Sequence, residues 1–297
     1  MFKNLCASAL GLSGHQSEVI ELALTFGFQG IDIDIGEFAT RVKLRGVPYA
    51  RRLIESAKLR LGSFALPLEL DADDAVFDKK LAKLPEYAQV AADIGCMRSV
   101  TFVAPASEKL PYHENFEFHR LRVGAVAKVL EPAGVRLAVG FRAAEYLRKG
   151  QTFQFIHDLD ALGLLLNMSG APNVGLALDV WDLQVAAGSL DAIRKLPPAQ
   201  IVTVDLANVP AGVAAAELQE SSRLLPSAEG GLIDMPSVLL ALSEIGYDGP
   251  VTVKPSRSVF RNQRREMIVK ETGDSLTKPW KAAGLSVTGK VLAAARS

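Results

Sequence analysis

The chain has 297 residues, 49% of them hydrophobic, and its 33 Lys+Arg balance its 33 Asp+Glu. Zero net charge supplies no broad positive field for nucleic acid or an anionic membrane, and no run of about 18 apolar residues exists to span a bilayer. Cys6 and Cys96 are far apart and form neither a zinc-ligand spacing nor a disulfide framework.

The start, MFKNLCASALGLSGHQ, has one Lys and no sustained apolar stretch, so no signal peptide is expected and the expected compartment is the cytoplasm. Lys3–Leu10 reads as a short strand, and Gln16–Phe26 as a helix stopped by Gly27. Gly30–Ile35 alternates Ile31, Ile33 and Ile35 with Asp32 and Asp34. If the isoleucines face outer helices, both acids point inward. Val47–Lys58 is helical, Arg60–Pro67 a strand, and Phe77–Ile94 one long helix ending at Gly95. Met97–Val103 is the fourth strand. The loop LPYHENFEFHRLR leads into a helix through Leu130, and Val135–Phe141 is the fifth strand. Phe153–Met168 is helical. Val174–Asp179 is a buried strand closed by an acid, with Trp181 and Asp182 just beyond. A short helix Ser189–Lys195 precedes strand Gln200–Leu206. Ala214–Pro226 reads as a polar loop or broken helix, Met235–Ile245 as a helix, and Val251–Lys254 as the eighth strand. Arg261 onward is helical to the end, and its basic cluster Arg261–Arg265 reads as a solvated face.

Eight strand–helix units imply a parallel sheet. At roughly 30–40 residues each they fit an α/β (β/α)8 TIM barrel. The expectation is one domain over residues 1–297, with a C-terminal helical extension from about 262. The alternative, a doubly wound open sheet, lacks a Gly-rich phosphate loop, because GLSG is too short for that fingerprint.

In a barrel, the carboxyl ends of the strands converge on one mouth. Those ends are Asp34, Gly140, Asp179, Asp205 and Lys254. Ionised groups are almost never buried unless paired, so the three charged endings on successive strands point to a shared polar site. Asp179, Lys254, Asp205 and Asp34 are the catalytic candidates. Arg142 offers a bidentate fork for a phosphate or carboxylate. Trp181 is a candidate wall for a sugar face, and His15 follows the first strand and could reach the mouth. His119 reads as a helix-surface residue, His157 as structural, and His113 lacks a nearby acid to make a metal pair. No Ser/His/Asp arrangement is present for acyl transfer.

The stretches EVIELALTFGFQGIDI, LPYHENFEFHRLR, GVRLAVGF, FIHDLDAL, APNVGLALDVWDLQVAAG, LPSAEGGLIDM and GYDGPVTVKP together resemble the sugar phosphate isomerase/epimerase family, with its xylose isomerase-like barrel. The resemblance implies a divalent metal at the mouth, held by a Glu, an Asp, a His and a Glu after strands five to eight. At those positions this chain has Gly140, Asp179, Asp205 and Lys254. Asp182 and Gln184 stand where the family has two histidines, and Ala207 and Asn208 where it has an Asn-Asp pair. These make Asp182, Gln184 and Asn208 substrate-binding candidates by resemblance.

A lysine repels a metal and offers no lone pair. The expectation is therefore that no metal or other cofactor is used and that Lys254 sits between Asp179 and Asp205 in the cation's place. The alternative is a weakly bound Mn or Mg at Asp179 and Asp205. The resemblance implies a small sugar or sugar derivative as partner, with no nucleic acid and no membrane, and leaves a homo-oligomer open. The leading reading is isomerase/epimerase chemistry, with an Asp as base and Lys254 stabilising the enolate. A Schiff base at Lys254 is disfavoured by its acidic neighbours. The remaining alternative is a catalytically degenerate barrel that binds a sugar or a partner protein.

Overall fold

The computed structural model describes residues 1–292. Eight parallel strands close into a barrel. They are β1 (Phe2–Leu5), β2 (Gly30–Ile33), β3 (Arg60–Ala65), β4 (Arg98–Phe102), β5 (Arg136–Gly140), β6 (Val174–Asp179), β7 (Ile201–Leu206) and β8 (Pro250–Val253). Each strand pairs with its sequence neighbours, and β8 pairs with β1 to close the ring. The expected (β/α)8 barrel is thus the observed fold.

Helices cover the outside: α1 (Gln16–Thr25), α2 (Ile35–Arg45), α3 (Val47–Ala57), α4 (Asp74–Leu81), α5 (Leu84–Ile94), α6 (Tyr112–Leu130), α7 (Leu159–Met168), α8 (Val180–Val185), α9 (Leu190–Lys195), α10 (Met235–Glu244) and α11 (Arg265–Ala282). The apolar faces of strands and helices meet in one buried cluster that runs in sequence from Met1 to Leu285. A smaller cluster, Ala138, Ala177 and Val202 with Val100 against it, fills the barrel's middle with small side chains. That leaves the chemistry-bearing side chains to the rims.

Several boundaries differ from the sequence expectation, each for a local reason. The long helix expected over Phe77–Ile94 is two helices, because Pro85 in the first turn of α5 has no N–H to continue α4. The loop before Leu130 is already helical from Tyr112, and His119 on it is buried, not on the surface. Phe153–Gln154 is extended and pairs antiparallel with Ala106–Ser107, so α7 starts only at Leu159, where Asp158 caps it by accepting the Ala161 N–H at 2.8 Å. The first strand stops at Leu5. The C-terminal helix stops at Ala282, and residues 293–297 of the expected extension lie outside the described residues.

Candidate active site at the barrel mouth

Two ion-pair systems stand at the carboxyl ends of β5 to β8. In the first, Asp179 closes β6 and caps α8. Its Oδ1 accepts the Trp181 and Asp182 N–H groups at 3.0 and 3.3 Å. Its Oδ2 accepts from Arg223 Nη2 at 2.5 Å and from Arg142 Nη1 at 3.4 Å. Asp182, one turn on, accepts the Ala143 N–H on Oδ1 at 2.8 Å and Arg142 Nη1 on Oδ2 at 3.0 Å, with Arg223 Nη1 at 3.5 Å. Arg223 also donates Nε to the Lys254 carbonyl at 3.0 Å and lies over the Trp181 ring.

In the second system, Lys254 Nζ donates to Asp205 Oδ2 at 2.8 Å. Asp205 Oδ1 accepts no hydrogen bond among the described residues. Two strands beyond β8 in the ring, on β2, Asp32 Oδ1 accepts from Asn4 Nδ2 at 2.8 Å and from the Ser63 N–H and Oγ at 2.8 and 3.0 Å.

The two systems differ in access. The Asp179 and Arg223 side chains are 3% and 2% exposed, a sealed pair. Lys254 is 24% exposed above an Asp205 that is 3% exposed, and Arg142 is 30% exposed. The mouth therefore shows two cations outward, each anchored on buried carboxylates.

Burial and pairing set the charge states. Burial pushes the Asp179 carboxyl up, but the Arg223 and Arg142 guanidiniums outweigh it and hold the group below its ordinary value. Asp182 is pushed up to about 6, first by burial and then by the Asp179 charge beside it. Of this pair, Asp182 takes the proton first. Burial also raises Asp205, only partly offset by Lys254. Burial works against the Lys254 charge, yet Asp205, Cys6 and Asp32 around it leave its pKa raised. That direction favours the ammonium form of Nζ, whereas a Schiff base needs the free amine.

The structure rearranges the expected constellation. Lys254 does not lie between Asp179 and Asp205: it takes Asp205 alone, while Arg223 takes Asp179. Arg223 was hidden in a stretch that reads as polar loop, 44 residues from Asp179 in sequence. Nothing local marks it, since only the fold brings it to the mouth. Asp34 does not point into the barrel as the alternation implies. It is exposed and caps α2 through the Glu37 N–H at 2.9 Å, while Asp32, two positions earlier, faces the interior. His15 is exposed at the start of α1, where its N–H bonds Glu18. Trp181 is fully buried with Ala144, Ala207, Val209 and Leu218, so it packs under the mouth and is not a wall of it. Asn208 makes all four amide bonds to loop backbone: it donates to Pro226 and Ile233 carbonyls and accepts from Val209 and Ile233 N–H groups. It pins the loop that carries Arg223 and has no free group for a substrate. Gln184 is half-buried on α8.

The fifth-strand position is filled. A Cβ on Gly140 would lie 2.4 Å from the Phe102 ring and 3.1 Å from the Ala177 carbonyl. Arg142 stacks on the same ring at 3.8 Å. A groove of about 1040 Å³ lies elsewhere, on the barrel flank between α7 and α9, and includes none of these residues.

Residues 20–278 match the family described as xylose isomerase-like TIM barrel. The chain belongs to that family. Solved structures agree on the fold. A xylose isomerase domain protein from Alicyclobacillus acidocaldarius subsp. acidocaldarius is 24% identical, with a TM-score of 0.84 over 95% of this chain and 99% of that one. The IOLI protein, crystallised with a zinc atom, is 15% identical, with a TM-score of 0.75 over 96% and 98%. D-Psicose 3-epimerase from Clostridium cellulolyticum H10, solved with D-tagatose, is 14% identical, with a TM-score of 0.71 over 95% and 99%. No curated protein matches the sequence.

The family's divalent metal does not fit the residues present. Gly140 offers no donor, and Phe102 occupies its side-chain space. The Asp179 oxygens are taken by two guanidiniums and two N–H groups, and Asp205 is held by an ammonium. Among the described residues, no three His, Cys, Asp or Glu stand close enough to share an ion. The same contacts argue against a weak Mn or Mg at Asp179 and Asp205.

Proposed function

We propose that this family member moves a proton next to the carbonyl of a small carbohydrate derivative, without a metal, using Asp205 and Lys254. The observation that carries the reading is the geometry of that pair. The Lys254 side chain is about a quarter exposed while its Nζ spends one N–H on Asp205, and the other Asp205 oxygen has no partner among the described residues. A raised carboxyl accepts a proton more readily than an ordinary one. An ammonium fixed beside it is placed to stabilise the negative oxygen that forms as the C–H bond breaks. Arg142, with one nitrogen spent on Asp179 and Asp182, keeps the rest of its fork for an anionic group of the substrate. Asp179 is too sealed to be the base, and its role is to hold Arg223 and Arg142.

Exchange in D2O tests this. Common ketoses, aldoses and their phosphates are incubated with the protein, and loss of the C–H signal next to the carbonyl is followed by NMR. Exchange is expected for at least one compound. It should fall by about 100-fold or more in Lys254→Met and in Asp205→Asn. The sealed Asp179–Arg223 pair favours a second reading, a barrel that binds such a compound without turning it over. Calorimetric binding at the mouth with no exchange across the panel would establish that reading and end the catalytic one.

A further inference from the structure

The other end of the barrel carries a cluster that the mouth does not explain. Arg60, Arg98 and Arg136 are the first residues of three consecutive strands, β3, β4 and β5. Arg98 and Arg136 are direct partners in the β4–β5 register. The sheet thus brings three guanidiniums to one rim. Among the described residues, none of the three forms an ion pair with a carboxylate within 4.0 Å. Arg60 lies flat on the Phe2 ring at 3.8 Å, which uses its face and leaves its N–H edge free. Arg136 donates Nη2 to the Ala199 carbonyl. Arg98 makes no side-chain hydrogen bond among the described residues.

Two pockets open there and share Arg98. One, of about 230 Å³, is lined by Arg98, Arg136, Tyr247 and the turn Gly246–Gly249, with Asp248 as its acid. The other, of about 430 Å³, adds Arg51, Lys58 and Arg60. Its acid, Glu55, is already paired with Arg51. In a chain of zero net charge, this rim holds a local positive surplus.

We propose that the N-terminal rim of the barrel is a binding site for a small multivalent oxyanion, a phosphate or phosphate monoester, held between Arg98 and Arg136 with Arg60 at the edge. Clustered guanidiniums with free N–H edges match phosphate oxygens bidentately. A pocket smaller than the ~300–1,000 Å³ of drug-sized ligand sites suits a group of a few atoms. Like charges held together also destabilise the fold until an anion joins them. Burial and the neighbouring Arg98 charge lower the pKa values of Arg60 and Arg136, the direction such crowding gives. The site lies at the opposite end of the barrel from the mouth and does not depend on the reaction there.

The test is calorimetry and thermal unfolding of the full chain with inorganic phosphate, at ionic strength held constant with sodium chloride. Saturable binding and a raised unfolding temperature are expected. Affinity should fall by about tenfold in Arg98→Gln and in Arg136→Gln, since each removes a charge-assisted hydrogen bond. It should rise in Asp248→Asn, an exposed position whose change removes only the opposing charge. Glycerol phosphate in parallel separates the sources: tighter binding than inorganic phosphate assigns the site to an ester, weaker binding to the free ion. Absence of saturable phosphate binding overturns the proposal. So does binding that Arg98→Gln, Arg136→Gln and Asp248→Asn all leave unchanged, because that anion would sit elsewhere.

Discussion

Arg223 is the residue on which the sealed half of the mouth depends. It neutralises Asp179 and Asp182 at once and ties them to the Lys254 carbonyl. Removing one partner of a buried ion pair strands the other charge, which costs about 3–5 kcal/mol. Arg223→Met should lose about 3 kcal/mol in urea unfolding, and Arg223→Lys should not restore it, because one ammonium cannot span three acceptors. A stability equal to wild type would mean the pair is not formed. Asp182 gives a second residue-scale prediction. Its pKa is raised to about 6 from an unfolded value near 3.8, so the folded state holds the proton more tightly than the unfolded chain. That contribution to stability is full below the unfolded pKa and is lost as pH rises through about 6. Asp182→Asn removes it. Wild-type stability minus Asp182→Asn stability should fall between pH 4 and 7, on the order of 2 kcal/mol. A flat or rising difference would contradict the assigned charge states.

At the scale of elements, the strand endings are legible because an apolar run that stops on a charge has few structural uses. Asp179, Asp205 and Lys254 are readable that way, and the barrel puts all three at one rim. The partners of those charges are not readable. Arg223 comes from a loop whose position is fixed by Asn208, and no periodicity encodes that. Asp34 misleads for a related reason. Alternation marks it as inward, but the strand ends at Ile33 and Asp34 becomes a helix cap. Gly140 shows how two strands share one volume. Phe102 on β4 fills the space above Gly140 on β5, so a methyl group there has no room. Gly140→Ala should cost about 1–3 kcal/mol by overpacking, and Phe102→Leu should recover part of it in the double variant. Equal losses in the single and double variants would show that the strain is in the backbone and not against the ring.

Across the whole molecule, the residues that stand at the mouth are interlocked over β4 to β8 and the Arg223 loop: Phe102 fills the space at Gly140, Arg223 holds Asp179 and Lys254 holds Asp205. The family's pattern, read from sequence alone, suggests that Gly140→Glu, Asp205→His and Lys254→Glu together rebuild a metal site. The structure predicts that they do not. A glutamate at 140 meets Phe102, and Arg223 still occupies the Asp179 oxygen that an ion would need. Two further changes follow from those contacts: Phe102→Ala frees the space, and Arg223→Leu frees Asp179. With both added, the carboxyl ends of β5 to β8 carry two glutamates, one aspartate and one histidine, a donor set suited to a divalent ion. Arg142 remains on Asp179 Oδ2 at 3.4 Å, a long contact that a divalent ion displaces, so the five-fold variant should unfold at a higher temperature with zinc or manganese than without. The triple variant should show no such shift and no calorimetric binding. Tight metal binding by the triple variant would mean that Phe102 and Arg223 yield easily, and that Lys254 alone keeps the ion out.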